Sequence, residues 1–286
     1  MFEYAYAVAR KIDADLGGAC LTGALRGLRQ LGLEDFGELL ASMPDPALPN
    51  LSRVLPEMAS AEIQVSWTGA HGLPLLKQTN SFARSAAYNF TRLTGRPLDG
   101  ARILDFGCGY GRIARLMYYF TDPAHFIGVD PWDRSIELCR QAGFGDNFRQ
   151  SEYLPKSLPV DDARFDLIYA FSVFTHLSER ASRQALDTLR RYIQEDGILL
   201  ITIRPVEYWG AGHPSDVNVD ALVARHRRSG FAFLPHNRVP VDGDITYGDT
   251  SMTTEWLIAQ FPSWRFSGVD RSLDDPYQIY VFLRPG

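Results

Sequence analysis

The chain has 286 residues, 45% of them hydrophobic, and a formal net charge of −5. That length and apolar content can bury a large core and slightly exceed one typical domain, so one main domain with an accessory segment is the simplest division. An acidic balance without clustered Lys and Arg excludes a broad nucleic-acid footprint, and with no apolar run of spanning length and no charged-then-apolar leader, neither membrane insertion nor secretion is expected.

In chain order, residues 4–32 and 35–43 read as amphipathic helices. The stretch MPDPALPNLSRVLP then carries four prolines and is expected to break any regular element. A further helix is predicted over residues 81–93, ending before Gly95 and Pro97. Residues 1–95 thus form a helical cap, placed to set substrate choice. Covering apolar surface or forming a homodimer contact are its other open roles.

Next comes RILDFGCGYGRIAR at residues 102–115, an apolar run that ends in Asp105 and passes into Gly107, Gly109 and Gly111. A strand stopping at such a loop presents bare backbone N–H groups and a carboxylate to a ligand. The dinucleotide fingerprint needs its third glycine one position later, where this chain has Arg112, so a pyrophosphate has no obvious cradle. Asp105 would also repel phosphates, whereas it suits a ligand carrying an ammonium and a sulfonium. Residues 112–120 read as a helix, and residues 126–129 as a strand closed by Asp130, about twenty residues after the loop, where a ribose diol would lie.

Further on, residues 147–150, 165–171 and 198–203 read as strands covered on both faces. The predicted helix between the last two is capped by Ser178, keeps helical spacing through Tyr192 and Ile193, and ends at Gly197. The run Arg225, His226, Arg227, Arg228 before Gly230 reads as a structural helix C-terminus.

The pieces LDFGCGYGR, FIGVDPWDRSIELCR, RFDLIYAFSVFTHLSE and GILLITIRP, in this order, resemble the class I S-adenosylmethionine-dependent methyltransferases from about residue 98 to residue 205, with a weaker tail beyond. The resemblance implies an α/β fold: a doubly wound, mostly parallel seven-stranded sheet, with an antiparallel C-terminal hairpin from residues 264–269 and 277–283. Residues 96–286 would form this Rossmann-like domain, with a substrate-side insertion over 205–260. By the same resemblance, Asp105, Gly107 and Gly109 hold the methionine part of the cofactor and Asp130 the ribose, with Cys108 and Pro131 also among the cofactor-binding residues. Trp132 packs on the adenine or makes a plain hydrophobic contact, and the backbone at Phe171 and Ser172 lines the cofactor.

Chemistry is expected where the fourth and fifth strands end. His176 is the candidate general base, because its ordinary pKa lies near neutrality. Glu207 and His213, in the segment RPVEYWGAGH, are further candidates, and Tyr208 and Trp209 beside them form a substrate wall or an anchor. The segment VPVDGDITYGDTSM reads as a loop that Gly243 and Gly248 let move over the site. Six scattered histidines and three cysteines without ligand spacing exclude a metal centre and point to a reducing cytosol. The expected function is methyl transfer from S-adenosylmethionine to a small molecule, with oxygen the favoured acceptor atom. A non-catalytic S-adenosylmethionine-binding protein and a nucleotide-dependent oxidoreductase are the alternatives.

Overall fold

In the computed structural model, which describes residues 1–18, 20–161 and 163–286, the chain packs as two compact units. One comprises residues 1–88 and 97–150, the other residues 89–96 and 151–286.

The first unit begins with α1 (Glu3–Asp15) and α2 (Leu21–Leu28), not with one helix over residues 4–32. Gly17 separates them with a left-handed φ of 51°, which a continuous helix cannot contain. After α3 (Leu33–Ala41) comes α4 (Pro49–Val54), which corrects the expectation that the prolines exclude regular structure. Pro49 occupies the first turn, where its missing N–H costs nothing. A helix the sequence did not announce, α5 (Ala61–Thr68), is capped by the Ser60 hydroxyl, which accepts from the Ile63 amide, and closed by left-handed Gly69. Next, α6 (Gly72–Thr94) starts well before the expected residue 81, and Pro74 is tolerated in its first turn.

The same unit contains β1 (Ile103–Phe106), α7 (Arg112–Met117), β2 (Phe126–Asp130), α8 (Asp133–Gln141) and β3 (Phe148–Gln150), with β2 parallel to both of its neighbours. The helical front segment is built into this core. Arg29 donates to the carbonyls of Tyr118 and Thr121, and the Tyr119 hydroxyl donates to that of Leu31. Phe36, Phe82, Tyr118 and Phe126 are fully buried, each contributing about 2 kcal/mol of hydrophobic stabilisation.

The second unit contains β4 (Phe165–Ala170), α9 (Glu179–Leu189), β5 (Ile193–Ile203), α10 (Val219–Ser229), β6 (Phe231–Pro235), β7 (Gly248–Met252), α11 (Thr254–Gln260), β8 (Trp264–Arg271) and β9 (Ile279–Pro285). Ser178 caps α9 as expected, accepting from the Ala181 amide at 3.2 Å. That helix nevertheless ends at Leu189, and Ile193 opens β5, so Gly197 lies inside a strand instead of closing a helix. A Cβ at Gly197 would sit 2.9 Å from the Ile193 side chain and 3.0 Å from the Asp166 carbonyl, beside a register shift in the β4–β5 ladder. Glycine is there for close backbone approach. The basic run does end α10, with Gly230 left-handed after it.

The segment around Gly248 also departs from expectation, because residues 248–252 form β7, antiparallel to β6. A Cβ at Gly248 would lie 2.1 Å from the Leu234 carbonyl oxygen, so this glycine serves strand contact and not hinge motion. Seven strands form one mixed sheet in the order β3-β2-β1-β4-β5-β9-β8, and β9 is antiparallel to β5 and β8. This is the expected sheet with its antiparallel C-terminal hairpin. All of β1 and the last seven residues of β5 are buried, which explains their unbroken apolar character.

Candidate functional site

In the first unit, β1 ends at a loop in which Gly107, Gly109 and Gly111 have φ values of 86°, 54° and 74°. L residues avoid this region, and the Gly107 and Cys108 amides use the geometry to donate to the Val129 carbonyl at the end of β2. At Gly111 no side chain would fit, since a Cβ would come within 2.5 Å of the Phe144 ring. Asp130, at the tip of β2, is buried, and its two carboxylate oxygens accept from the amides of Gly109 (3.0 Å) and Trp132 (2.9 Å). Burial raises its carboxyl above the ordinary value, opposed by those amides and the Ser135 hydroxyl. Asp105 is buried as well. Burial, then the neighbouring Cys139 thiol, raise the Cys108 thiol, so Cys108 packs as a neutral group. The Pro131 carbonyl accepts from the Gln150 side chain, and Trp132 is 42% exposed, stacked on Trp67 of α5 at 4.7 Å. Arg112 turns to α6, donating to Gln78 and Thr79.

In the second unit, β4 runs into Phe171 and Ser172. Ser172 is held at a φ of 58°, rare for a non-glycine residue, by its amide donating to Thr202 (2.7 Å) and its hydroxyl accepting from Gln278 (3.1 Å). His176 follows, with its ring stacked on Tyr247 and both nitrogens engaged. Nδ1 lies 2.8 Å from the Gly248 carbonyl, which can only accept, so Nδ1 carries the proton. Nε2 then accepts from the Arg204 guanidinium at 3.2 Å. Burial first, then the Arg204 charge, bring the His176 pKa down to about 4.

Asp249 organises this cluster. Its carboxylate accepts from Arg204 (2.6 Å), the Tyr208 hydroxyl (2.9 Å) and His236 Nε2 (2.9 Å). Burial would push its pKa up, but His236, Arg204 and Tyr208 outweigh that and bring it to about 2. Tyr208, under the Arg204 guanidinium at 4.0 Å, is pushed up to about 12, first by burial.

Residues 104–201 match the family described as methyltransferase domain. This segment is a class I S-adenosylmethionine-dependent methyltransferase domain. A ubiquinone biosynthesis O-methyltransferase of Methylocella silvestris is 33% identical over 94 residues, covering 32% of this chain and 35% of the relative. A sterol 24-C-methyltransferase of Schizosaccharomyces pombe is 27% identical over 128 residues, covering 42% of this chain and 33% of the relative. This chain therefore spans about a third of the length of these two curated relatives. Among solved structures, a glycopeptide N-methyltransferase complexed with (S)-adenosyl-L-methionine is 12% identical, with a TM-score of 0.49 over 73% of this chain and 94% of that one.

Within the methyltransferase domain, the structure brings Asp105, Gly107, Cys108, Gly109, Asp130, Pro131 and Trp132 together around one loop. His176 joins the Asp249 cluster; Glu207 is exposed and does not. His213 packs against Tyr208 and Trp209, and its buried Nε2 has no hydrogen-bond partner among the described residues. Trp209 is fully buried and donates to Ser251, so it is an anchor rather than a wall. Sequence reasoning missed Asp249 and His236. No local signal marks them, since they meet only through the β6–β7 ladder. Trp67 was missed because α5 itself was.

Proposed function

We propose that this chain transfers the methyl group of S-adenosylmethionine to a small molecule, with a hydroxyl oxygen as the acceptor atom. One observation carries the reading: Asp130 is fixed at the tip of β2 by the amides of Gly109 and Trp132, beside a loop of left-handed glycines. The residues present fit the cofactor. They offer carboxylates for a ribose diol and a cationic amino-acid end, while Arg112, which replaces the third dinucleotide glycine, is committed to Gln78 and Thr79.

When bound, the sulfonium supplies a methyl group already activated for displacement. The protein then has to hold the reacting atoms in line and exclude water. Asp130 would accept both ribose hydroxyls, Asp105 with Gly107, Cys108 and Gly109 would hold the methionine end, and Trp132 would pack on the purine. By the family resemblance, the backbone at Phe171 and Ser172 lines the cofactor. At neutral pH the His176 ring is unprotonated, and because its one acceptor lone pair, on Nε2, is taken by Arg204, that bond must open for His176 to receive the acceptor's proton. His213 and Glu207 are the remaining ionisable candidates.

In this reading residues 1–95 act as a cap and residues 96–286 as the transferase domain, with residues 205–260 on the substrate side. The three free cysteines suit a reducing cytosol, and no helix among the described residues is long and apolar enough to cross a membrane. Calorimetry with S-adenosylhomocysteine and with NAD tests the cofactor. Heat with the first and none with the second is expected, and the reverse would make the chain a nucleotide-dependent oxidoreductase. Release of S-adenosylhomocysteine from the donor with a panel of phenols, sugars and acids then tests the acceptor class.

A further inference from the structure

The glycine loop has a neighbour that the methyltransferase domain itself does not supply. Trp67, on α5 of the front segment, is stacked on Trp132 with ring centroids 4.7 Å apart and planes 25° apart, and meets Tyr110 edge-on at 5.7 Å. It also covers Gly109: the atoms nearest to a Cβ built there are two carbons of the Trp67 ring, at 3.8 and 3.9 Å. Gly109 is the residue whose amide donates to Asp130. The Trp67 indole therefore roofs Gly109, at the methionine end of the proposed site, and covers Trp132, where the proposed reading puts the purine.

A third ring cannot enter the stack as it stands, because two aromatic contacts of about 3.5 Å each need roughly 7 Å between the outer rings. A purine on Trp132 must displace Trp67 or push it outward. The construction of α5 makes that displacement cheap. The helix is eight residues long, and Gln64 is its only buried residue. The Gln64 side chain bonds mainly within the segment, donating to the Ala59 carbonyl and accepting from the Gly72 amide. Gly69 and Gly72 follow with φ values of 78° and 61°, and a Cβ at either would meet nothing within 4 Å. Beneath this linker lies a cavity of about 50 Å³ lined by Met58, Gln64, Gly72, Leu75 and Thr79, so the packing there can shift.

We infer that Trp67 is a cofactor-binding residue: α5 is a flap whose indole exchanges its stack on Trp132 for a stack on the adenine ring of the bound cofactor. The front segment then serves the cofactor as well as the acceptor. This inference rests on the proposed methyltransferase reading, but it fails separately from it.

Titration of the full chain with S-adenosylhomocysteine, followed by calorimetry and by tryptophan fluorescence, makes the test. Trp209, Trp256 and Trp264 are buried, so Trp67 and Trp132 carry the ligand-sensitive emission. Trp67→Ala should weaken the complex about fivefold, the adenine stack lost from the complex being partly offset by the Trp132 stack lost from the free chain, and Trp67→Phe should retain most of the affinity. Trp67→Phe should also lose a large share of the ligand-induced fluorescence change, and both variants should stay folded without ligand, Trp67→Ala melting slightly lower for want of its contacts with Trp132 and Tyr110. Wild-type affinity in Trp67→Ala, or an undiminished fluorescence change in Trp67→Phe, overturns the assignment while leaving the methyltransferase reading intact. No heat from the wild-type chain with S-adenosylhomocysteine would bring down the reading, and the assignment with it.

Discussion

The glycine loop and the Asp249 cluster are both polar sites built at strand ends, but from different material. Around the loop, Asp105 to Gly111 are contiguous and Asp130 to Trp132 follow at the end of the next strand, so two short stretches hold nearly every polar contact. The cluster instead draws His176, Arg204, Tyr208, His236 and Asp249 from four separate stretches, and a single carboxylate holds Arg204, Tyr208 and His236, with His176 joined through Arg204. A site read from contiguous residues can lose one contact and keep its shape. One assembled around a central anion cannot, because removing that anion strands every donor aimed at it.

The largest effect should follow from that difference. Asp249→Ala leaves the guanidinium of Arg204, the Tyr208 hydroxyl and His236 without their acceptor, and should cost about 4 kcal/mol in urea unfolding. Its acid behaviour should change too. The folded pKa of about 2 lies below the ordinary carboxylate value of ~3.9, so this stabilisation is present above about pH 4 and is lost as pH falls toward 2. Asp249→Asn should flatten the stability curve in that window. An unchanged acid limb would show that the cluster is not organised by this charge.

His176→Gln sharpens the comparison next. As the proton acceptor, its loss should lower kcat by about a hundredfold with KM little changed. The folded pKa of about 4 is below the ordinary ~6.5, so the folded state resists protonation. Its contribution to stability is therefore full above about pH 6.5 and declines as pH falls toward 4, and the variant should lose that slope. A variant that loses the slope but keeps its kcat would make His176 a positioning residue.

At the loop, Asp130→Asn should weaken S-adenosylhomocysteine about thirtyfold by calorimetry, because charge-assisted bonds to the ribose become neutral ones. The smallest effect is expected at Ser178→Ala, which removes the cap of α9 and a hydrogen bond to Asp244, for about 1 kcal/mol in thermal or urea unfolding. If Asp130→Asn destabilised the fold more than it weakened the ligand, the loop would be a structural turn and the contrast between the two regions would disappear.

The sheet and the loop were legible in the sequence because their signals are local. Buried strands need unbroken apolar runs, as in β1 and β5, and a turn held at positive φ needs glycine, as at residues 107, 109 and 111. Residues 193–197 misled for the same reason. Ile193 and Gly197 fit a helix end as well as a bulged strand, and only the β4 register selects between them. Gly248 fits a hinge by sequence as well as a strand, and only the Leu234 carbonyl packed against it selects the strand.

By itself, then, the sequence determined the buried strands of the sheet, and which strand tips carry glycines and carboxylates, because those choices depend on each residue and its near neighbours. The tertiary structure alone decided that Trp67 lies over Gly109, that Asp249 gathers Arg204, Tyr208 and His236, and that both ring nitrogens of His176 are engaged. The reason is physical. Stacking and charge-assisted hydrogen bonds act over a few ångströms of space, whatever the distance along the chain, so they exist only once packing has brought the partners together.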